Sequence, residues 1–539
     1  MIDAPVLIAG GGPVGMTLAL VLAHHGVQSI IVERNENTTT YPKMDLTNGR
    51  SMELFRTLGI VDKLRAVGVP PDQPLDVVWA TSLSGHVLHR FAYPTPDEKR
   101  ATAIATDDGT DTAEPSMRVS QVILEPVLKK AIDENPLIDV RFGWALEGLE
   151  QDEDGVTATV RSKSGETVAL RSQYLAGCDG GGSTVRRRIG VESEGQPAVI
   201  RMYMIHFKSR DHAVIARFGA AYHFQTVSGS LIIQDGVETW TVQMPLPPGT
   251  DESSLDPAKK LRQWVGQDFD FEIVLANPWS AHQIIAERYI VDRVILAGDA
   301  AHQVIPTGGY GMNTGIGDAF DLGWKLAAMV NGWGGPALLP SYETERQQIA
   351  IQNRAATRRH AEVRVKIRDL ILKAEANQEG GLDSPDGAGT RDNLGAAIKA
   401  LGNAENESWG IEHGYRYANS PVIVPEMGVA PLFDPVRCTP TTWPGSRLPL
   451  IYLGEGHPLY DDLGLELTLL VSDGGDPAPF VAAAEGLAVP LSTLMVTQES
   501  AIRMLEKRFV LVRPDHHVAW RGDVIPDDAK SILEQVTGR

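Results

Sequence analysis

Gly10, Gly12, Pro13 and Gly15 sit in the run Gly10-Gly11-Gly12-Pro13-Val14-Gly15, and Glu33 follows eighteen residues after the last glycine. Glycines at this spacing let the backbone turn sharply and approach a pyrophosphate, whose charge then rests on a helix N-terminus. An acid placed where Glu33 stands accepts from a ribose hydroxyl. Two later turns repeat the theme: Cys178-Asp179-Gly180-Gly181-Gly182, and Leu296-Ala297-Gly298-Asp299, which continues to Pro306-Thr307-Gly308-Gly309-Tyr310-Gly311-Met312-Asn313. A single such Asp reads as a turn residue or helix cap. Three nucleotide-style turns in one chain are hard to assign to capping. The first motif by itself suits FAD and NAD alike, and no second GxGxxG occurs that would mark a separate nicotinamide domain.

The elements that must hold these turns are legible in outline. Val6–Ala9 is an apolar strand, the glycine run opens a helix to His25, and Ser29–Val32 is a second strand, together one βαβ unit. Ala101–Pro115 is polar and Gly/Thr-rich and reads as a surface loop. Helical periodicity covers Gln121–Asn135, Asp318–Val330 and Tyr342–Ala376, and residues 153–178 read as a β-meander. From about 195 to 285 the chain is β-rich and aromatic. The Gly/Asp/Ser-rich stretch after Asn377 predicts a linker.

Composition narrows the function classes. The 539 residues carry 49 basic and 69 acidic side chains, a formal net charge of −20. That charge opposes a nucleic-acid or anionic-membrane surface. No apolar run has bilayer-spanning length and no basic leader precedes one, so a soluble, cytoplasmic protein is expected. The two cysteines, Cys178 and Cys438, lack CxxC spacing. Neither a disulfide framework nor a metal site is therefore expected, and Cys178 reads as a small buried filler.

With these motifs in this order and approximate spacing, most of the chain resembles the FAD-dependent aromatic hydroxylases, the class A flavoprotein monooxygenases. The tail, with Pro444-Gly445-Ser446-Arg447 and Leu511-Val512-Arg513-Pro514-Asp515, resembles the C-terminal domain of the phenol hydroxylase and polyketide hydroxylase branch. The resemblance implies an α/β fold in which a Rossmann-like FAD-binding domain of glutathione-reductase type is joined to a β-sheet substrate domain and a thioredoxin-like C-terminal domain. Its expected boundaries are 1–190 and 286–376 for the FAD-binding domain, 191–285 for the substrate domain, 377–410 for the linker and 411–539 for the tail. Without CxxC, the tail is expected to have a structural or dimerising role, which leaves a homodimer open.

The resemblance also assigns roles. Asp299 would hold the ribityl chain and Gly298 keep its turn tight, while the N–H groups of Gly311, Met312 and Asn313 would face the flavin pyrimidine edge. Pro306 would lie where oxygen is activated. Gln121 and Arg50 match FAD-contacting positions, Arg34 follows the ribose acid, and Asp179 would serve both the FAD and the NAD(P)H regions. Many members carry Arg where this chain has Met44, so Lys43 or Arg118 is expected to replace that contact.

The implied reaction uses NADH or NADPH and O2 to form a flavin C4a-hydroperoxide that hydroxylates a phenolic ring. A phenol titrates near ~10, so a base beside its oxygen would help. Asp45, five residues before Arg50, is the candidate. Tyr203, His206, Tyr222, His223, Gln234, Trp240 and Gln243 are the candidate polar-tipped pocket residues, and His302 is expected to be packed and structural. Baeyer–Villiger oxidation or epoxidation on the same fold, or a non-catalytic FAD-bound sensor, are the alternative readings.

Overall fold

The computed structural model describes residues 2–539. Its first sheet runs Ile290–Val291, Val294–Leu296, Thr167–Gly177, Ala4–Ala9, Ser29–Glu33, Ile138–Phe142 in space. The last five of these strands pair in parallel. Trp144–Gln151 and Val156–Ser162 add an antiparallel extension through Thr167–Gly177. Strands such as Ala4–Ala9 are apolar at nearly every position because helices cover both faces of a parallel sheet. The helices Pro13–His24 and Tyr310–Val330 pack on each other and share one core with the strands.

The second sheet has eight strands and includes Val77–Ala80 and Val87–Phe91. The substrate domain is therefore discontinuous, drawing on residues expected to belong to 1–190. One face packs under the helices His212–Ile215 and Pro257–Val265, with Tyr203, Phe207, Phe224, Trp240 and Trp264 in its core. The helix Leu338–Asn377 passes the other side and reaches Trp79 through Ile367 and Ile371.

Two loop expectations are corrected. The Ala101–Pro115 stretch begins inside a helix, Pro96–Thr106, opened by a capping box in which Thr95 and Glu98 exchange hydrogen bonds with each other's backbone. The expected linker contains a 14-residue helix, Ala388–Leu401, packed against Val87–Phe91. Gly395 permits that packing, since a Cβ there would stand 2.4 Å from the Leu88 carbonyl oxygen.

The C-terminal region follows β-α-β-α-β-β-α order, with strands Leu467–Val471, Leu491–Met495, Phe509–Val512 and Val518–Gly522. The second of these pairs in parallel with the first, the third runs antiparallel to the first, and the fourth antiparallel to the third. That is the thioredoxin arrangement, here without its dithiol. Two buried ion clusters dock it. Arg513 donates to Glu345 at 2.7 Å, Asp321 at 2.8 Å and Asp515 at 2.6 Å, while Lys325 bridges Asp321 and Glu345. Arg447 reaches across to Glu53 at 3.0 Å. Burial alone would raise the Glu53 carboxyl, but the charge of Arg447 and then of Arg50 holds it far below the usual range.

Candidate active site

The glycine motif sorts by position. Gly10 has φ +112°, and a Cβ on it would meet the Cys178 carbonyl oxygen at 2.2 Å; one on Gly15 would meet the Gly10 oxygen at 2.0 Å. These two glycines close the strand–helix joint. A Cβ on Gly12 would meet nothing within 4 Å, so its backbone faces open space at the N-terminus of Pro13–His24. Such a tight first glycine, open second and packed third is what pyrophosphate binding at a helix end requires. Glu33 stands over the loop, accepting from the Gly11 N–H at 2.8 Å and from Asn35 through its other oxygen. Arg34 beside it is exposed.

The Gly298-Asp299 turn lies across from this loop. Gly298 has φ +61° and takes Val14 against its face, so the turn and the first motif interlock. The Asp299 side chain is accessible, yet protein surrounds it closely enough that desolvation raises its carboxyl, against the opposing charges of His302 and Lys43. Lys43 itself is exposed. Asp179 caps the next helix, accepting from the Thr184 N–H at 2.6 Å and the Val185 N–H at 3.1 Å.

Asp318 holds the turn from behind. Its Oδ2 accepts from the Gly298 N–H at 3.0 Å and pairs with His302 at 2.7 Å, and its Oδ1 accepts from Arg346 at 2.8 Å. Burial would raise this carboxyl, but His302 and Arg346 bring it down to about 2. Sequence reading missed Asp318 and Arg346. The available signal was Asp318, Asp321 and Lys325 at helical spacing within the apolar stretch after Asn313. His302 is packed and structural in position, and Cys178 is buried.

The third motif builds a second helix N-terminus. The Pro306 carbonyl accepts from the Gly309 N–H at 3.0 Å, Gly308 and Gly309 take φ +90° and +68°, and the helix Tyr310–Val330 begins with no side-chain cap. It thus starts eight residues before the expected Asp318. Pro306 is exposed and Gly311 faces open space. Asn313 uses its side chain as a staple: Oδ1 accepts from the Asn48 N–H at 3.0 Å, and Nδ2 donates to the carbonyls of Leu46 at 3.0 Å and Gly309 at 2.7 Å. This ties the helix end to the strand Leu46–Thr47 and so to Asp45. Met312 packs on the neighbouring core.

Asp45 lies at the substrate-domain edge. Its Oδ1 accepts from the Tyr222 hydroxyl at 3.0 Å, and its Oδ2 is 3.7 Å from His223 Nε2. Tyr222 and His223 stack with centroids 3.8 Å apart. Burial, then the neighbouring Asp45 charge, raises the Tyr222 phenol well above its ordinary value. The Arg118 guanidinium lies over the Tyr222 ring, 4.7 Å from its centroid, and donates to the Ile233 carbonyl. Arg118, expected at the flavin as a substitute for the Met44 position, belongs instead to this group. Met44 contributes its carbonyl, which accepts from the Gln121 N–H; the Gln121 side chain donates to Glu125.

Three expectations are corrected. The Arg50 guanidinium does not face the dinucleotide loops: it donates to the Asp515 carbonyl at 2.6 Å and lies beside Glu53 and His516. Trp240 is 1 % exposed, donates to the Ser209 carbonyl, and packs with Tyr203 in the core on the far face of the sheet. Alternation along a strand puts Gln243 on the opposite face, where it accepts from Trp279. His206 is tied to Thr241 within the sheet. Gln234 follows Ile233, buried, with Oε1 unpartnered among the described residues.

Among the described residues, no group of three or more His, Cys, Asp or Glu could hold a metal ion, and no helix is long and apolar enough to cross a membrane.

Comparison with known proteins agrees with this geometry. The FAD binding domain family model matches residues 3–357, and the aromatic-ring hydroxylase C-terminal model matches 441–539. The FAD-dependent monooxygenase apdD of Emericella nidulans is 37% identical, covering 99% of this chain and 90% of the relative. Among solved structures, RebC with bound 7-carboxy-K252c superposes with a TM-score of 0.89 at 33% identity, covering 100% of this chain and 99% of RebC. The flavin-dependent monooxygenase PieE, in complex with FAD and substrate, does so at 0.89 and 28% identity over the whole of both chains. The cofactor that the three turns fit is FAD, and the chain belongs to the FAD-dependent aromatic-ring hydroxylases, a family of flavoprotein monooxygenases.

Proposed function

We propose that the protein hydroxylates a phenolic ring carbon next to a hydroxyl that Asp45 deprotonates. The observation that carries this reading is the position of Asp45. Its carboxylate is fixed by Tyr222, and its own segment is stapled through Asn313 to the helix end beside Pro306. Bound FAD, reduced by NADH or NADPH and reoxidised by O2, supplies the electrophilic oxygen atom; the protein supplies position, dryness and charge.

The residues divide that work. Gly10, Gly12, Gly15 and Glu33 would hold the pyrophosphate and ribose, and Asp299 the ribityl chain. The uncapped N–H groups at Gly311 and Met312 would offer positive partial charge to a bound reduced flavin. Asp45 Oδ2 takes the phenol proton, which raises electron density at the ortho and para carbons. Tyr222 keeps the carboxylate oriented by donating to Oδ1, while Oδ2, without a hydrogen bond, lies 3.7 Å from His223 Nε2. The sheet face bearing His223 and Gln243 walls the pocket. Asp179, which caps the helix Thr184–Arg188, would help fix the surface where NAD(P)H docks transiently. A cytoplasmic location suits the NAD(P)H requirement, and a homodimer would use surface left free by docking of the C-terminal domain.

The test is a panel of phenols scored for stimulation of NADH and NADPH oxidation, with product mass measured under labelled O2. One labelled oxygen on the ring supports the reading. An ester or epoxide product, or a flavin that no phenol makes reducible, refutes it.

A further inference from the structure

Arg346 lies on the helix Leu338–Asn377 with its guanidinium buried, and each of its three nitrogens donates to a different part of the chain. Nε donates to Asp318 Oδ1 at 2.8 Å, and the other oxygen of that carboxylate takes the Gly298 N–H. Nη2 donates to the Thr314 carbonyl at 3.0 Å, one turn into the helix Tyr310–Val330. Nη1 donates to the Tyr417 hydroxyl at 3.0 Å. Tyr417 is tied to the C-terminal sheet: its N–H donates to the Gly445 carbonyl, and the Gly445 N–H donates to the Val518 carbonyl. The Arg513 guanidinium, at the centre of the docking cluster, lies over the Tyr417 ring 5.2 Å from its centroid, and the His517 ring packs at 4.3 Å. One phenol thus touches the cation that docks the C-terminal region and the cation that braces the Gly298 turn. A guanidinium is planar and rigid, so its donors cannot be re-aimed one at a time. A buried donor stripped of its acceptor is costly, and tilting the plane to find another disturbs the bond to Asp318.

We infer that the C-terminal region takes part in holding FAD: Tyr417 is a positioning residue that fixes the Gly298-Asp299 turn through Arg346 and Asp318. This rests on the assignment of that turn to the ribityl chain given above. It gives a domain without a dithiol a task in cofactor retention, exerted through its docking rather than through any contact of its own with the flavin.

The test titrates FAD into apoprotein of the whole 539-residue chain, read by flavin fluorescence. The apoprotein melting temperature and the visible circular dichroism of the bound flavin are measured alongside. Tyr417→Phe keeps the ring and its packing under Arg513 and removes only the acceptor. One hydrogen bond to a buried charge predicts FAD binding about tenfold weaker, with altered flavin dichroism. Leu470→Ala is the control, because Leu470 is buried in the core on the other face of the C-terminal sheet from the cluster that holds Tyr417. It should lower the melting temperature more than Tyr417→Phe does, yet leave FAD affinity within about twofold and the dichroism unchanged. Gly317→Ala attacks the same link from the helix Tyr310–Val330, since its Cβ would stand 2.7 Å from Arg346 Nη2. It should weaken FAD binding in its own right, and the double variant with Tyr417→Phe should bind no worse than the weaker single one. Losses that multiply in the double variant overturn the inference. So does an affinity in Tyr417→Phe within twofold of the unmodified protein, or an equal loss in Leu470→Ala. Asp299→Ala tests the premise: unchanged FAD affinity there sinks the assignment of the turn and this inference with it. Lost affinity there, with none lost in Tyr417→Phe, sinks this inference alone.

Discussion

Replacing Asp45 by Asn separates the proton acceptor from the architecture around it. Tyr222 donates to Asp45 Oδ1 at 3.0 Å, and a carboxamide oxygen accepts the same bond, so the pocket keeps its shape. What disappears is one negative charge and the basic oxygen Oδ2. A simple phenol titrating near ~10 is ionised to roughly one part in 300 at pH 7.5. Hydroxylation confined to that fraction slows about 300-fold, or about 3.4 kcal/mol, within the ~10²–10⁴ typical of general base catalysis. Because solution pH now sets the phenolate fraction, the rate should climb about tenfold per pH unit until it levels near ~10. The assay follows hydroxylated product, NAD(P)H consumption and hydrogen peroxide over this pH range, with FAD content measured alongside. Product formation should fall while FAD content holds and peroxide rises. Turnover and coupling unchanged at pH 7.5 would remove Asp45 from the mechanism. A loss of similar size at every pH would show that Asp45 matters for shape rather than for proton transfer.

Gly12→Val should fold normally and purify without bound FAD, because its side chain enters only the space a pyrophosphate needs, whereas Gly15→Ala should also lose thermal stability. FAD content and melting temperature separate the two. Arg513→Met should cost about 3–5 kcal/mol in urea unfolding, since it strands Glu345 and Asp515. Adding Asp515→Asn should recover much of that loss, so additive losses in the double variant would count against the pairing. Asp318, Glu345, Glu53 and Asp515 all lie below their ordinary values in the folded protein. Their stabilisation is complete above about pH 4.5 and is lost as pH falls through the folded values, Asp318 at about 2. Burial holds His516 down to about 3 and His517 to about 4, which adds a loss that begins as pH falls below about 6.5. Tryptophan fluorescence during acid titration should therefore show stability falling from about pH 6.5 and unfolding before Asp318 protonates. Trp240→Phe should lower stability and leave the Michaelis constant for substrate unchanged.

The residues whose roles were legible early are those whose chemistry depends on local backbone. Gly10, Gly12, Gly15, Gly298 and Gly308 announce turns through a conformational freedom that other residues lack, and each turn lies between recognisable strands and helices. That the tail is a small α/β unit was legible for a similar reason, since strand and helix patterns alternate along it, while its thioredoxin-like character was implied by the family resemblance. Errors fell where a side chain could turn either way. Trp240, Tyr203 and Gln243 occupy adjacent strands of one sheet, and only strand register decides which face each one takes. The helix Ala388–Leu401 hid in a Gly/Asp-rich stretch because its stability comes from packing on Val87–Phe91.

By itself, then, the amino-acid order determined that the chain carries a dinucleotide-type glycine turn between a strand and a helix and two further Gly/Asp turns of the same kind. These are properties of short contiguous segments. The tertiary structure alone decided that Asp45, Arg118 and Tyr222, far apart along the chain, come into contact. It also decided that Arg50 serves the docking of the C-terminal domain, and that Asp318 braces the Gly298 turn. Each of those depends on long-range closure of the chain, where a charge goes underground only because a partner from another element meets it there.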